Sequence, residues 1–249
     1  MPTPSDALTA RGALERSYLF RGLAADVLDA LARAAEVRQL GRDEAVFEPG
    51  DPADEICVVA SGQVKDCVVN VDGDEVVHFV HGPGKTFGEP GFFAVDRHRI
   101  VRVVATSQST IMRLHRLHLE PLIRRHPELK DRVLERLASN TRVQTNLISA
   151  LATRPLADRL VLRLLELADA NRPSDPTRLA RTPKISQTTL AGMVGVSREN
   201  VNRALATLVA SGSIRREDGS YVLVDEGALR DIAARDWLPV TLRDTGAQV

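Results

Sequence analysis

Residues 186–219 read SQTTLAGMVGVSRENVNRALATLVASGSIRREDG, and the order of caps, apolar spacings and turn residues in this stretch decides the fold of the C-terminal half. Ser186 can cap a helix, Leu190, Met193 and Val194 follow at three-to-four spacing, and Gly195 can take the positive φ that closes it. Ser197 is a second N-cap position. Behind it Val201, Ala204, Leu205 and Leu208 form one apolar stripe, while Arg198, Glu199, Asn200, Asn202 and Arg203 face elsewhere. Ile214-Arg215-Arg216 and Tyr221-Val222-Leu223 flank Asp218-Gly219, and a D-G pair between strand-like runs signals a hairpin. The stretch is predicted to be a helix-turn-helix followed by a wing.

The second helix carries chemistry suited to a DNA groove. Arg198 and Arg203 offer forked donors that match guanine O6 and N7, and Glu199 can accept from cytosine N4. All three fall in the first two turns, the part of such a helix that enters a major groove. Surface helices also carry Arg and Glu without touching DNA, so the residue order matters more than the composition. VGVSRENVNRALATLVASGSI resembles the recognition-helix segment of the Crp/Fnr family of bacterial transcription regulators. The resemblance implies that Arg198, Glu199 and Arg203 read bases of a TGTGA-like half-site, with Ser186, Gln187 and Ser197 near phosphates. It also implies a homodimer on a palindromic site, with RNA polymerase as a further candidate partner.

The 249 residues suit one large or two modest domains, and 43% hydrophobic content suffices for a packed core. No apolar run reaches the roughly 18 residues of a membrane span, and the start MPTPSDALTARG lacks a signal peptide's apolar stretch, so a cytoplasmic protein is expected. Cys57 and Cys67 are too few for a four-thiolate iron–sulfur cluster. Net charge is zero, yet from 178 to 216 seven basic residues stand against Glu199 alone, which gives the helix-turn-helix region a basic face. From 217 to 249 seven acids outnumber three arginines, so that tail is expected to lie away from phosphates.

Residues 1–18 hold Pro, Ser, Thr and Gly with scattered apolar residues and are expected to form a flexible lead-in. Leu23, Val27, Leu28 and Leu31 predict an amphipathic helix over about 24–36. From 37 to 115 short Val-, Ile- and Phe-rich runs alternate with Gly, Pro and Asp turns, the pattern of a β-barrel or jelly-roll, and Asp72-Gly73 predicts a hairpin turn. Small barrels of this kind often hold one ligand.

Within that domain, 87–105 reads FGEPGFFAVDRHRIVRVVA. Glycines at 88 and 91 let backbone approach an anion, Glu89 can accept from ribose hydroxyls, and Arg99 can pair with a phosphate. The stretch resembles the phosphate-binding cassette of cyclic-nucleotide-binding domains, which implies Gly88, Glu89 and Arg99 as ribose and phosphate ligands and cAMP or another cyclic nucleotide as effector. It departs from the cAMP-binding pattern at Ile100, where a small or hydroxyl residue is usual. Gly84-Lys85-Thr86 imitates the end of a nucleoside triphosphatase loop, but Phe79 stands where that motif requires glycine. His115 and His118 lack acidic or thiol partners at ligand spacing, so no metal is expected. Haem on a barrel histidine is the minor alternative, and a constitutive DNA-binding protein with an inert barrel is the other.

A long helix is predicted from Pro127 to about Thr153, with Val133, Leu137, Asn140, Gln144, Leu147 and Leu151 at heptad spacing, the seam of a two-stranded coiled coil. Asn140 and Gln144 interrupt it, fixing register or facing a ligand. The resemblance maps Gln144 and Thr145 onto positions that read the adenine ring from both subunits. Arg154-Pro155 breaks this helix, a leucine-rich helix follows over 156–170, and residues 237–249 carry no legible chemistry. The expected chain is α+β: lead-in 1–18, barrel sensor 19–126 with flanking helices, dimerisation helix 127–154, and winged helix-turn-helix domain 155–249. No nucleophile, base and orienting group recur at motif spacing, so no enzyme is expected.

Overall fold

The computed structural model describes residues 4–71, 75–172, 175 and 177–234. The Asp72-Gly73 turn and the 237–249 tail lie outside the described residues. The chain forms two compact units, Met1–Asn146 and Leu147–Val249.

The first unit begins with α1 (Pro4–Arg16) and α2 (Ala25–Ala34), then β1 (Glu36–Leu40), β2 (Ala45–Phe47), β3 (Glu55–Ser61), β4 (Val64–Val69), β5 (Glu75–His81) and β6 (Thr86–Phe87). Helix α3 (Glu89–Phe93) precedes β7 (Arg102–Ala105) and β8 (Ser109–His115), and α4 (Arg116–Arg125) leads into α5 (Glu128–Thr153), along which the division between units falls. The lead-in expected to be flexible is largely α1. Its Ala10, Ala13 and Leu14 are fully buried against α2 and β3, a narrow stripe of small side chains that hydrophobic-run patterns do not register.

The strands form two four-stranded sheets, ordered β1-β8-β3-β6 and β2-β7-β4-β5. Closure into a barrel does not occur among the described residues: two open sheets face one another. Barrel closure needs a continuous staggered ladder, and the edge strands β2 and β6 have only three and two residues. Strand period separates two cores. Cys57 and Val59 of β3 join Val64, Phe87, Val103 and Ile111 between the sheets. Ile56, Val58 and Ala60 point the other way and pack with the helices, including Leu28, Leu119, Leu129 and Val133. Cys57 and Cys67 are free and buried, and desolvation pushes both thiols up.

The second unit contains α6 (Leu156–Ala170), α7 (Gln187–Val194), α8 (Arg198–Ala210), the hairpin of β9 (Ile214–Glu217) and β10 (Ser220–Leu223), and α9 (Glu226–Ala234). Leu160, Leu164 and Leu167 of α6 are buried with Leu190 and Val194 of α7 and Val201, Leu205 and Leu208 of α8. The backbone before α7 runs beside β10: Thr182 N–H donates to Tyr221 O (2.9 Å) and Leu223 N–H to Ala180 O (2.8 Å). No helix among the described residues is long and apolar enough to cross a membrane.

Candidate functional site

In the first unit the corner between β6 and α3 faces a cavity of about 230 Å³. Gly88 sits there with φ 92°, a conformation that favours glycine, and a Cβ on it would stand 2.7 Å from Arg99 Nη1 and displace the guanidinium. Arg99 is 4% exposed. Its Nη1 donates to Gly88 O and its Nη2 to Glu55 O, each at 2.9 Å, and its guanidinium lies 4.1 Å from the centroid of Phe47. The Glu55 carboxylate is 3.9 Å away but is engaged by Arg113 Nε at 2.8 Å. Arg99 Nε has no hydrogen-bond partner among the described residues, and burial lowers the pKa of the group. The outcome is a dry cation bonded mainly to neutral carbonyls, beside a glycine whose bareness keeps the approach open, a cradle suited to an anion.

Glu89 is also buried and accepts from the Thr86 hydroxyl. Ile100 lines the cavity, and its hydrocarbon side chain supplies no hydroxyl to supplement Arg99. Gln144 lines the cavity; Thr145 is exposed and does not. Arg136, Asn140 and Thr141 line it instead, with Leu137. The signal for them was available in the helical period, because 136, 140 and 144 repeat every four residues on one face. Val133, expected to begin a partner-facing seam, is buried with Leu129 in the unit's own core, while Leu137, Asn140 and Gln144 of the same seam form cavity wall. Asp66 and His81 from β4 and β5 complete the wall and were not singled out as a pair by the sequence reading.

In the second unit, Ser186 Oγ caps α7 by accepting from Thr189 N–H at 3.0 Å, and Gly195 closes it at φ 69°. Ser197 Oγ caps α8, accepting from Asn200 N–H at 3.4 Å. Gln187 Nε2 donates to Asn202 Oδ1 at 3.0 Å, which ties α7 to α8. Arg198, Glu199 and Arg203 are exposed on α8 opposite Val201, Leu205 and Leu208, and Arg203 donates to the Asn200 side chain. The wing turns through Asp218 and Gly219, both at positive φ. Arg215 is held by Glu217 at 2.6 Å, so the basic charge that the wing offers is smaller than its residue count.

Residues 37–126 match the cyclic nucleotide-binding domain, and residues 158–232 the Crp-like helix-turn-helix domain. The chain is 31% identical over 186 residues to the CRP-like protein Clp of Xanthomonas euvesicatoria, covering 72% of this chain and 79% of that protein. The chain belongs to the Crp/Fnr family. This Crp/Fnr protein is also 29% identical over 216 residues to the CRP-like cAMP-activated global transcriptional regulator of Mycobacterium tuberculosis, covering 87% of this chain and 96% of that one. The solved structure of the c-di-GMP-responsive global regulator CLP of Xanthomonas campestris superposes with TM-score 0.64 at 26% identity, over 80% of this chain and 99% of that chain. Membership makes the protein a DNA-binding transcription regulator rather than an enzyme. Among the described residues no three His, Cys, Asp or Glu side chains are grouped to hold a metal ion.

Proposed function

We propose that this Crp/Fnr protein is a cytoplasmic homodimeric regulator whose affinity for a palindromic TGTGA-like site is set by a cyclic nucleotide bound in the first unit. The observation that carries the effector reading is Arg99, buried, cationic, with Nε unpartnered, beside Gly88 at positive φ. A cyclic phosphate at that corner supplies the missing negative charge, and Glu89 accepts from a ribose hydroxyl. Gln144, with Asn140 and Thr141, faces the remaining part of the ligand from α5. Because Leu137, Asn140 and Gln144 also belong to the heptad seam, a ligand there touches the surface on which two chains would pair. Binding then shifts the population toward the dimer arrangement that sets two recognition helices about 34 Å apart, one DNA turn.

On the DNA side, Arg198, Glu199 and Arg203 are assigned to base edges. The Ser197 hydroxyl accepts from a helix N–H and keeps a proton to donate to phosphate, at a helix N-terminus that favours an anion; Ser186, whose hydroxyl also shares a hydrogen bond with the Thr189 hydroxyl, and Gln187 are assigned to the same backbone. Contact with RNA polymerase belongs to the same reading.

Calorimetric titration of cyclic nucleotides, combined with gel shift of a TGTGA-type palindrome, tests it. Binding accompanied by tighter DNA association is expected; unchanged DNA affinity on saturation would remove the nucleotide from the mechanism. The rival, haem on a cavity histidine, is favoured by His78 and His81 lining the same cavity. A Soret band in the purified protein would put haem in the nucleotide's place.

A further inference from the structure

The cavity has a second polar end that a phosphate and ribose leave unused. Asp66 on β4 lies opposite Phe79 on β5, and Val64 lies opposite His81. Val64 belongs to the core between the sheets, so the two-residue period turns Asp66 inward as well. His81 is 3% exposed and stacks on Phe87, with ring centroids 5.5 Å apart. Its Nε2 is 3.0 Å from Asp66 Oδ2, near enough for an ion pair but off the direction of a hydrogen bond. Asp66 Oδ1 is buried with no hydrogen-bond partner among the described residues. The adjacent cation on the strand, Lys65, is paired with Glu75.

This end is set apart from the anion cradle by aromatic wall. Arg99 lies over Phe47, Phe47 is 5.9 Å from Phe87, and Phe87 leads to His81. Phe47, Phe87 and Asp66 line one cavity with Arg99, so the Asp66 carboxylate borders the space left for the base of a nucleotide whose phosphate sits at Arg99.

We propose that Asp66 makes the cavity select a guanine base over adenine. The inference rests on the cyclic-nucleotide reading and narrows it. A carboxylate accepts hydrogen bonds and offers none. Guanine presents two adjacent donors, N1–H and the N2 amino group, which match a carboxylate lining the cavity. Adenine presents one amino group beside a bare N1 lone pair, and that lone pair would face the carboxylate. A site built around an acceptor rejects a ligand that lacks the matching donor, because its own buried group is then left unpaired. An amide at residue 66 carries one acceptor and one donor, the pattern that fits adenine.

The test is calorimetric titration of the full-length protein with cAMP, cGMP and c-di-GMP, repeated on Asp66→Asn, with thermal unfolding to confirm that the variant folds. At least one guanine ligand is expected to bind about ten-fold or more tighter than cAMP, the scale of one hydrogen bond to a charged group. Asp66→Asn is expected to move that ratio toward cAMP by a similar factor. The two guanine arms distinguish a mononucleotide from a dinucleotide, and preference for either supports the assignment. Wild-type protein that binds cAMP as tightly as both guanine ligands overturns the guanine assignment and leaves the cyclic-nucleotide reading standing. A guanine preference that survives Asp66→Asn unchanged overturns the role of Asp66. Binding of none of the three overturns the cyclic-nucleotide reading itself. Should Asp66→Asn fail to fold, the same titrations on Asp66→Ser decide, with loss of the guanine preference expected and an unchanged preference overturning the role of Asp66.

Discussion

Arg99 directs Nη1 and Nη2 at the carbonyls of Gly88 and Glu55, while the Glu55 carboxylate is taken by Arg113. Replacing the cation by a neutral group of similar reach removes the anion's charge-assisted partner and keeps a donor for the carbonyls. Arg99→Gln is therefore expected to weaken cyclic-nucleotide binding by about ten- to hundred-fold, equivalent to about 1.5–3 kcal/mol, with the fold retained by thermal melt. An affinity within two-fold of wild type would show that the ligand's charge is held elsewhere. At the other functional surface, Arg198→Ala is expected to cost about 1–3 kcal/mol on the specific site and to relax base preference at one position. Fluorescence anisotropy on a set of single-base variants checks this. Equal weakening on every sequence would make Arg198 a phosphate anchor.

At the level of single elements, α8 is legible from its sequence because its signals are local: a capping serine, an apolar stripe, and exposed polar positions between. Ser197→Ala removes the side-chain acceptor for Asn200 N–H and is expected to lower the stability of the second unit by about 1 kcal/mol, read by denaturant unfolding. No change in midpoint would mean that water replaces the cap at no cost. Helix α5 is harder to read because one face has two uses. Its heptad spacing was visible, but Leu129 and Val133 go to the core while Asn140 and Gln144 go to the cavity, a partition set by what packs on each turn. A polar residue in a coiled-coil seam lowers stability, so Asn140→Leu is expected to tighten the dimer in sedimentation equilibrium. An unaltered dimer with altered nucleotide affinity would make Asn140 a cavity residue alone.

At the scale of the whole molecule, the proposed dimeric mechanism requires two recognition helices to meet two half-sites on the same side of the duplex. Inserting half a helical turn, about five base pairs, between the half-sites of a palindrome is expected to reduce affinity to that of a single half-site, because a dimer reaching across about 34 Å cannot follow the rotated groove. Gel shift of paired probes measures this. Equal affinity for both spacings would point to monomeric recognition or to a long flexible linkage.

The sequence by itself determined the local units: the helix-turn-helix with its caps, the DG wing turn with Asp218 and Gly219 at positive φ, the Gly88–Glu89 corner, and the α5 break before Pro155. Each is specified within a few residues by backbone sterics, capping or hydrophobic period. Tertiary structure alone decided that α1 is packed rather than loose, since alanines become core only when a surface closes over them. It also decided that the sheets stay open, and that Asp66, His81, Arg99 and Arg136 line one cavity. Those residues come from strands and a helix far apart in the chain, and no local pattern states which inward positions will meet.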